Sequence, residues 1–257
     1  MRADVFLVEQ GYADSRSEAQ AAIEAGRVFA DGVRVSKPSQ QILKSAVVKY
    51  SPAHPYVSRG ALKLIAALDQ FSLSPENLTC LDLGASTGGF TQVLLERGAR
   101  KVLAVDVGHD QLHAKIASDG RVISMEHRNA RDLSQSDIAD PVQAIVADMS
   151  FISLKLALPA ALKMAPPGAW LIALFKPQFE VGREKIGKGG VVRDSHARLL
   201  VLFEFLHWLN EQGDWRVLSP PFIDSPIEGG DGNHEFLVGA RNDGVFRGLG
   251  FVGISQA

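Results

Sequence analysis

One cysteine, Cys80, occurs among 257 residues. An intrachain disulfide and a cysteine-rich metal site are both excluded, which fits a reducing compartment. Long apolar runs are missing as well. The longest stretch without Asp, Glu, Lys or Arg is Leu83–Leu95, 13 residues that include Gly84, Gly88 and Gly89. A spanning helix needs about 20 apolar residues, so no membrane insertion is expected. The first 20 residues carry Arg2, Asp4, Glu9, Asp14, Arg16 and Glu18 and lack the apolar stretch of a signal peptide. A cytoplasmic location is expected. With 46% apolar and 22% charged residues and a mean hydropathy of +0.04, the chain is globular rather than disordered or collagenous. Its net charge of −2 hides an asymmetry. Residues 1–63 carry nine Lys and Arg against six Asp and Glu, whereas the remainder carries 18 against 23. A basic head on an acidic body suits an anionic partner docked by the head, although differences of this size also arise by chance.

Residues 1–50 read as a small α+β module. Val5, Phe6 and Val8 form an apolar stripe that stops at Gly11. Ser15 precedes Glu18 at capping-box spacing, and Ala19, Ala22 and Ile23 give the helical face that follows. Val28 to Val35 predicts two short strands around the turn Asp31-Gly32. Such a module is too small for an enzyme site of its own. Residues 51–57, with Pro52 and Pro55, form the expected linker. Over residues 58–257 the pattern changes to alternation. Strands are expected at 79–83, 101–105, 121–125, 143–147 and 169–175, and helices at 58–70, 88–97, 110–118, 153–165 and 194–211. A last strand pair, 215–219 and 234–240, has no helix between its members. The body is therefore expected to be a doubly wound, Rossmann-like α/β domain with a mostly parallel, seven-stranded sheet.

Leu81-Asp82-Leu83-Gly84-Ala85-Ser86-Thr87-Gly88-Gly89-Phe90 lies at the turn from the first of these strands into a helix. Glycines there let the backbone pass close to a ligand, and the helix start offers free N–H groups. Asp106 ends the second strand, where an acid can take both hydroxyls of a ribose. A nicotinamide enzyme would show G-x-G-x-x-G. This loop instead reads G-A-S-T-G-G after Asp82, the Asp-x-Gly pattern of S-adenosylmethionine enzymes, whose ligand has no phosphate to cradle. The plainer reading is a glycine turn needed only for tight packing of helix on strand.

Several segments together resemble the TlyA family. They are Tyr56 to Leu64, Gly84 to Phe90, Asp106-Val107-Gly108, Ala147 to Leu154, Phe175 to Glu180, and Gly232 to Phe236. In the head, Ser15 to Gln20, Gly26-Arg27-Val28 and Asp31-Gly32 resemble the S4 pattern. That family joins an S4 RNA-binding domain to an FtsJ-like methyltransferase acting on ribose 2′-hydroxyls of ribosomal RNA. The resemblance spans nearly the whole chain. It implies S-adenosylmethionine as cofactor, cytidine in ribosomal RNA or a ribosomal subunit as substrate, and a Lys-Asp-Lys-Glu tetrad of Lys63, Asp148, Lys176 and Glu235. It also implies that Asn129-Ala130-Arg131 lies beside the adenine; the alternative is a capping Asn followed by a surface Arg. Val107 and Asp148 join the expected cofactor contacts. Two departures stand out, Asp110 where the family pattern has glycine and Gln92 where acids are frequent.

The tetrad also follows from topology. Asp148 and Lys176 each follow a strand, and parallel neighbours lie about 4.8 Å apart, so both reach the carboxyl edge where α/β ligands bind. An antiparallel last strand would begin on that edge, near Glu235, and Lys63 would overhang the site from the preceding helix. Lys176 is expected to hold or accept the 2′-hydroxyl proton and Asp148 to orient it. Lys63 and Glu235 are expected to hold the ribose. Ion pairs ending strands are the plain alternative.

Arg16, Arg27, Arg34, Lys37 and Arg59 are candidate phosphate contacts, as are Arg183 and Lys185 in a glycine-rich loop. Each is equally readable as a solvated surface charge. His109 and His113 have helical spacing but no third ligand, so no metal is expected. Asp148 is not followed by the proline pair of amino-methylating enzymes, and Cys80 lies inside a strand; both disfavour methylation of a base. Two other function classes remain at this stage. One is a membrane-lytic protein, because TlyA relatives are also described as haemolysins, but the sequence offers no spanning or strongly amphipathic basic helix. The other is an RNA-binding assembly factor with a vestigial methyltransferase domain. Oligomeric state is not legible.

Overall fold

The computed structural model describes residues 1–229 and 232–244. Two compact units divide the chain, Met1–Ser58 and Arg59–Ala257. The expected linker falls within the first, and residues 245–257 of the expected second domain lie outside the described residues.

The first unit contains α1 (Ala3–Glu9), α2 (Arg16–Glu24), β1 (Val28–Ala30), β2 (Val33–Arg34) and β3 (Val48–Tyr50). The strands form an antiparallel sheet in the order β2-β1-β3. Ser15 Oγ accepts from the Glu18 amide at 3.2 Å, and the Glu18 carboxylate accepts from the Asp14 amide at 2.9 Å. This reciprocal cap starts α2 where the sequence places it. Asp31 and Gly32 both take positive φ, 50° and 78°, as a two-residue hairpin with right-handed strand twist requires. β3 was not anticipated, because three residues are too few to show alternation. Phe6, Leu7, Ile23, Val28 and Val35 fill the core. Beside them Asp4 is buried and accepts from the Arg2, Arg16 and Gln20 side chains. The Arg2 guanidinium foremost holds the Asp4 carboxyl well below the usual carboxylate range. Arg16 therefore has a structural duty besides the expected one.

The second unit is built on a sheet of β4 (Thr79–Leu83), β5 (Lys101–Val105), β6 (Val122–Met125), β7 (Ala144–Ala147), β8 (Trp170–Phe175), β9 (Trp215–Val217), β10 (Ile223–Asp224) and β11 (Phe236–Asn242). Its order is β6-β5-β4-β7-β8-β11, with β9 and β10 both on the outer side of β11. The first five strands are parallel and β11 runs antiparallel to β8. Seven strands were expected and eight are present among the described residues, because two-residue β10 pairs with the start of β11 while β9 pairs with its end. β4, β7 and β8 are buried throughout, as parallel strands covered on both faces must be.

The helices are α3 (Gly60–Phe71), α4 (Gly89–Glu96), α5 (Ala114–Ala117), α6 (Leu154–Ala157), α7 (Pro159–Met164) and α8 (Ser195–Asn210). The helix expected at 153–165 is broken in two. Pro159 has no N–H to donate and its ring crowds the Lys155 carbonyl, so it starts α7 instead of continuing α6. The helix expected at 110–118 shrinks to α5, because Asp110 sits at φ 51° and His113 is the cap, its Nδ1 accepting from the Lys115 amide. His109 and His113 thus share no helix face, and His109 stacks on His127 with ring centres 5.2 Å apart.

Candidate active site

Strand register gathers the site. Leu83 of β4 pairs with Val105 of β5 and Ala147 of β7, and Ala147 pairs with Ala173 of β8. The next residues, Gly84, Asp106 and Asp148, therefore leave the sheet together at its carboxyl edge. A cleft of about 380 Å³ opens there, lined by all three and by Ser86, Val107 and Ala130, among others.

Gly84 has φ 80°, and a Cβ on it would lie 2.5 Å from the Asp148 carbonyl oxygen. No other residue fits that crossing. Asp106 is fixed by two backbone donors: Ser86 N–H reaches Oδ2 at 2.9 Å and Gly108 N–H reaches Oδ1 at 2.8 Å. Each oxygen keeps acceptor capacity for a diol. Asp110, standing where the family has glycine, occupies the left-handed region that glycine prefers, and Asp is among the few other residues that tolerate it.

Asp82 is fully buried in β4. Thr91 Oγ1 donates to its Oδ2 at 2.6 Å, while Oδ1 has no partner. Burial pushes this carboxyl up to about 7. Below about pH 4 the folded and unfolded chains both hold this proton; from there to about 7 only the folded chain does. Asp82 therefore lowers stability progressively as pH rises through that window. Asp82→Asn is expected to remove this part of the pH slope, which denaturant titrations at the two ends of the window would detect. An unchanged slope would mean that Asp82 is ionised throughout.

The remaining loop residues divide by burial. Ala85 and Phe90 are buried, Gly88 and Gly89 are buried where α4 begins, and Ser86 and Thr87 are exposed. Phe90 packs inside and does not line the cleft. Asn129 caps a short turn, its Oδ1 accepting from the Arg131 amide at 3.1 Å, and Arg131 is exposed. That is the capping alternative. The residues of this segment that do line the cleft are Ala130 and Arg128.

The four tetrad residues form two ion pairs. Lys176 Nζ lies 2.5 Å from Asp148 Oδ1, and Lys63 Nζ lies 2.5 Å from Glu235 Oε2. Phe175 is paired with Phe236 across β8 and β11, so Lys176 and Glu235 lie one residue beyond the same rung. Both pairs thus stand at one end of the sheet. Lys63 was expected to overhang the site. It is buried instead, because α3 packs on β8 and β11 and turns this side chain inward. Lys176 also donates to Ser150 Oγ at 2.9 Å and lies 6.0 Å from the centre of the Phe179 ring.

Six residues that line the cleft, Val105, Gln111, Arg128, Met149, Ser150 and Phe151, were not among the expected site residues. Phe151 is 90% exposed at φ 64°, with its ring 5.1 Å from that of Phe179. Ser150 is exposed beside it. Their signal was the resemblance segment around Asp148, which marks them without stating a role. Arg27, Arg34, Lys37, Arg59, Arg183 and Lys185 are all exposed, as is Arg16. The loop holding Arg183 and Lys185 is tied at its end: buried Asn233 donates to the Gly190 carbonyl and accepts from the Val192 amide.

Among the described residues no helix is long and apolar enough to cross a membrane. Residues 56–242 match the FtsJ-like methyltransferase family, and residues 1–48 match the S4 domain. The chain is 40% identical to the 16S/23S rRNA (cytidine-2′-O)-methyltransferase TlyA of Mycobacterium tuberculosis, covering 100% of this chain and 95% of the relative. It is 41% identical to Hemolysin A of Brachyspira hyodysenteriae, covering 93% and 98%. The solved structure described as "Putative hemolysin from Streptococcus thermophilus" superposes with a TM-score of 0.75 at 42% identity, covering 94% of this chain and 88% of that one. With its S4 unit, its FtsJ-like fold and this likeness over the full length, the chain belongs to the TlyA family of methyltransferases.

Proposed function

We propose that this protein transfers a methyl group from S-adenosylmethionine to a ribose 2′-hydroxyl of ribosomal RNA, at a cytidine as in the names of its relatives, and works in the cytoplasm. The observation that carries this reading is the Asp148–Lys176 pair, whose Asp148 lines the Gly84–Asp106 cleft. S-adenosylmethionine, when bound, supplies a sulfonium methyl already activated for attack by oxygen. The residues present suit it. Asp106 offers two fixed carboxylate oxygens to a ribose diol, and the glycine at position 84 lets the backbone lie close. Ala85, Ser86, Thr87, Gly88 and Gly89 complete the loop, and Val107 and Ala130, which line the cleft, would contact the bound cofactor, whereas Asp82 is buried in β4 and does not line the cleft.

What remains for the protein is to position the hydroxyl and take its proton. Lys176, with its nitrogen as the neutral amine, receives that proton at Nζ and becomes the ammonium, and Asp148 holds the lysine in place. Lys63 and Glu235, paired and buried, fix α3 against the start of β11 and so shape the wall of the ribose subsite. Cysteine-assisted carbon methylation of a base is disfavoured too, since burial pushes the Cys80 thiol up to about 12. Arg16, Arg27, Arg34, Lys37, Arg59, Arg183 and Lys185 are assigned to phosphates, which makes RNA binding weaken with salt.

Phe151 is assigned to the target base. A bulky residue held at positive φ with its ring in solvent is unfavourable for folding alone, whereas stacking on a nucleobase is worth about 1–3 kcal/mol. Phe151→Ala is therefore expected to raise the KM for RNA about tenfold and leave cofactor affinity unchanged. Steady-state kinetics with both substrates varied would check this, and an equal loss of cofactor affinity would move Phe151 to the cofactor subsite.

The experiment for the reading as a whole is transfer of labelled methyl from S-adenosylmethionine to isolated small and large ribosomal subunits. Label in RNA is expected. Its absence, with cofactor binding confirmed by calorimetry, would contradict the enzyme reading and favour an RNA-binding assembly role.

A further inference from the structure

We infer that Ser150 is a positioning residue for Lys176, acting through its hydroxyl to set the rotation of the lysine nitrogen. The inference rests on the methyltransferase reading above and extends it to a residue outside the tetrad.

The two contacts of the Lys176 nitrogen differ in kind. Asp148 Oδ1 is 2.5 Å away, yet no directed hydrogen bond reaches that oxygen. This is a charge contact, and Coulomb attraction to a compact ammonium hardly depends on rotation about the Cε–Nζ bond. Ser150 Oγ, at 2.9 Å, accepts a directed hydrogen bond from the same nitrogen. Of the polar contacts recorded for Nζ among the described residues, it is the one that fixes rotation.

Rotation matters because the nitrogen is tetrahedral. As an ammonium it has three N–H donors; as an amine it has two N–H groups and one lone pair. To take a proton from a ribose hydroxyl, the lone pair must face the substrate. The Ser150 oxygen holds one N–H. The Asp148 carboxylate favours an N–H over a lone pair on its own side, because like charge repels. The lone pair is then left in the third direction, away from both. Without the Ser150 hydroxyl no directed contact holds the nitrogen, and the lone pair and the N–H groups exchange places freely. Ser150 is suited to the task because its hydroxyl accepts in any rotor state and can donate its own hydrogen elsewhere. It also sits at a fixed distance from the pair, two residues beyond Asp148 on the same chain segment. The other charged groups near this edge are engaged elsewhere. Glu235 is paired with Lys63, and the Glu180 carboxylate accepts from Ser153 Oγ and the Leu154 amide.

The test compares the full chain with Ser150→Ala and Ser150→Thr. Ser150 is exposed, so neither substitution disturbs the core. Ser150→Ala is expected to lower kcat about tenfold, the scale of one lost hydrogen bond to a charged group, with the KM values for S-adenosylmethionine and RNA unchanged. Ser150→Thr, which keeps the hydroxyl, is expected to restore most of the rate. A second readout needs no turnover. In protein labelled with 15N-lysine, the Lys176 ammonium resonance, identified by its loss in Lys176→Ala, is expected in the wild type and Ser150→Thr. In Ser150→Ala it should vanish through faster exchange with water. Unchanged kcat in Ser150→Ala would overturn the proposal, as would a raised KM for RNA at constant kcat, which would make Ser150 a substrate contact. A threonine variant as slow as alanine, or an ammonium signal indifferent to the substitution, would do so as well. Failure of the wild type itself to methylate ribose would overturn the underlying reading instead, and is seen before any variant is compared.

Discussion

Replacing Lys176 by alanine is expected to lower methyl transfer by about 10²–10⁴-fold, the range for a lost general base, while S-adenosylmethionine binding stays within about twofold of the wild type. The separation follows from geometry. Lys176 emerges from β8, whereas the glycine loop and Asp106 follow β4 and β5, with β7 between. Nothing in the loop hydrogen-bonds to Lys176; its contacts are Asp148, Ser150 and the Phe179 ring. Removing the lysine leaves Asp148 only partly buried, so its carboxylate can be hydrated in place of the ammonium. Folding should survive. Calorimetric titration with S-adenosylmethionine, run beside single-turnover methyl transfer, checks both halves. Cofactor affinity falling in step with the rate would remove Lys176 from the proton-accepting role.

The Lys63–Glu235 pair predicts the opposite behaviour, a loss of stability rather than of chemistry alone. Both side chains are buried, and the Glu235 carboxylate is tucked so close to Gly229 that a Cβ there would collide with it. Lys63→Met leaves a buried carboxylate without its partner, at an expected cost of about 3–5 kcal/mol. The double variant Lys63→Met/Glu235→Leu removes both charges and is expected to recover most of that loss, because apolar pairs of similar volume replace buried ion pairs at little net cost. Trp170, Trp208 and Trp215 all lie in the second unit, so tryptophan fluorescence in a denaturant titration reports on that unit. A double variant no more stable than Lys63→Met would mean that packing, not the unpaired charge, causes the loss.

The parts that were legible from the sequence are those governed by short-range pattern. β4 and β5 begin and end where they were expected, although β4 carries the buried Asp82 and β5 opens on Lys101. The tetrad was legible from topology together with resemblance: three charged residues each sit at a strand end, and the antiparallel register of β11 does bring Glu235 to the edge of Lys176. What escaped was decided by contacts distant in sequence. β10 is two residues long and exists because β11 offers it an edge. The inward turn of Lys63 depends on which face of α3 meets β11, and the amphipathic pattern of α3 does not reveal that a lysine will share the buried face. Phe151 has no periodic signal at all. Its exposure is set by a single left-handed residue after Asp148-Met149-Ser150, a conformation that sequence statistics would not assign to phenylalanine.

The central claim is that the oxygen of a ribose receives the methyl group. Alkaline hydrolysis of methylated ribosomal RNA tests it most directly, because cleavage needs a free 2′-hydroxyl. If the account holds, the label survives in an alkali-resistant dinucleotide whose methylated member is cytidine, and Lys176→Ala yields about 10²–10⁴-fold less of it per unit time. Label recovered quantitatively in single nucleotides would place the methyl on a base and contradict the account.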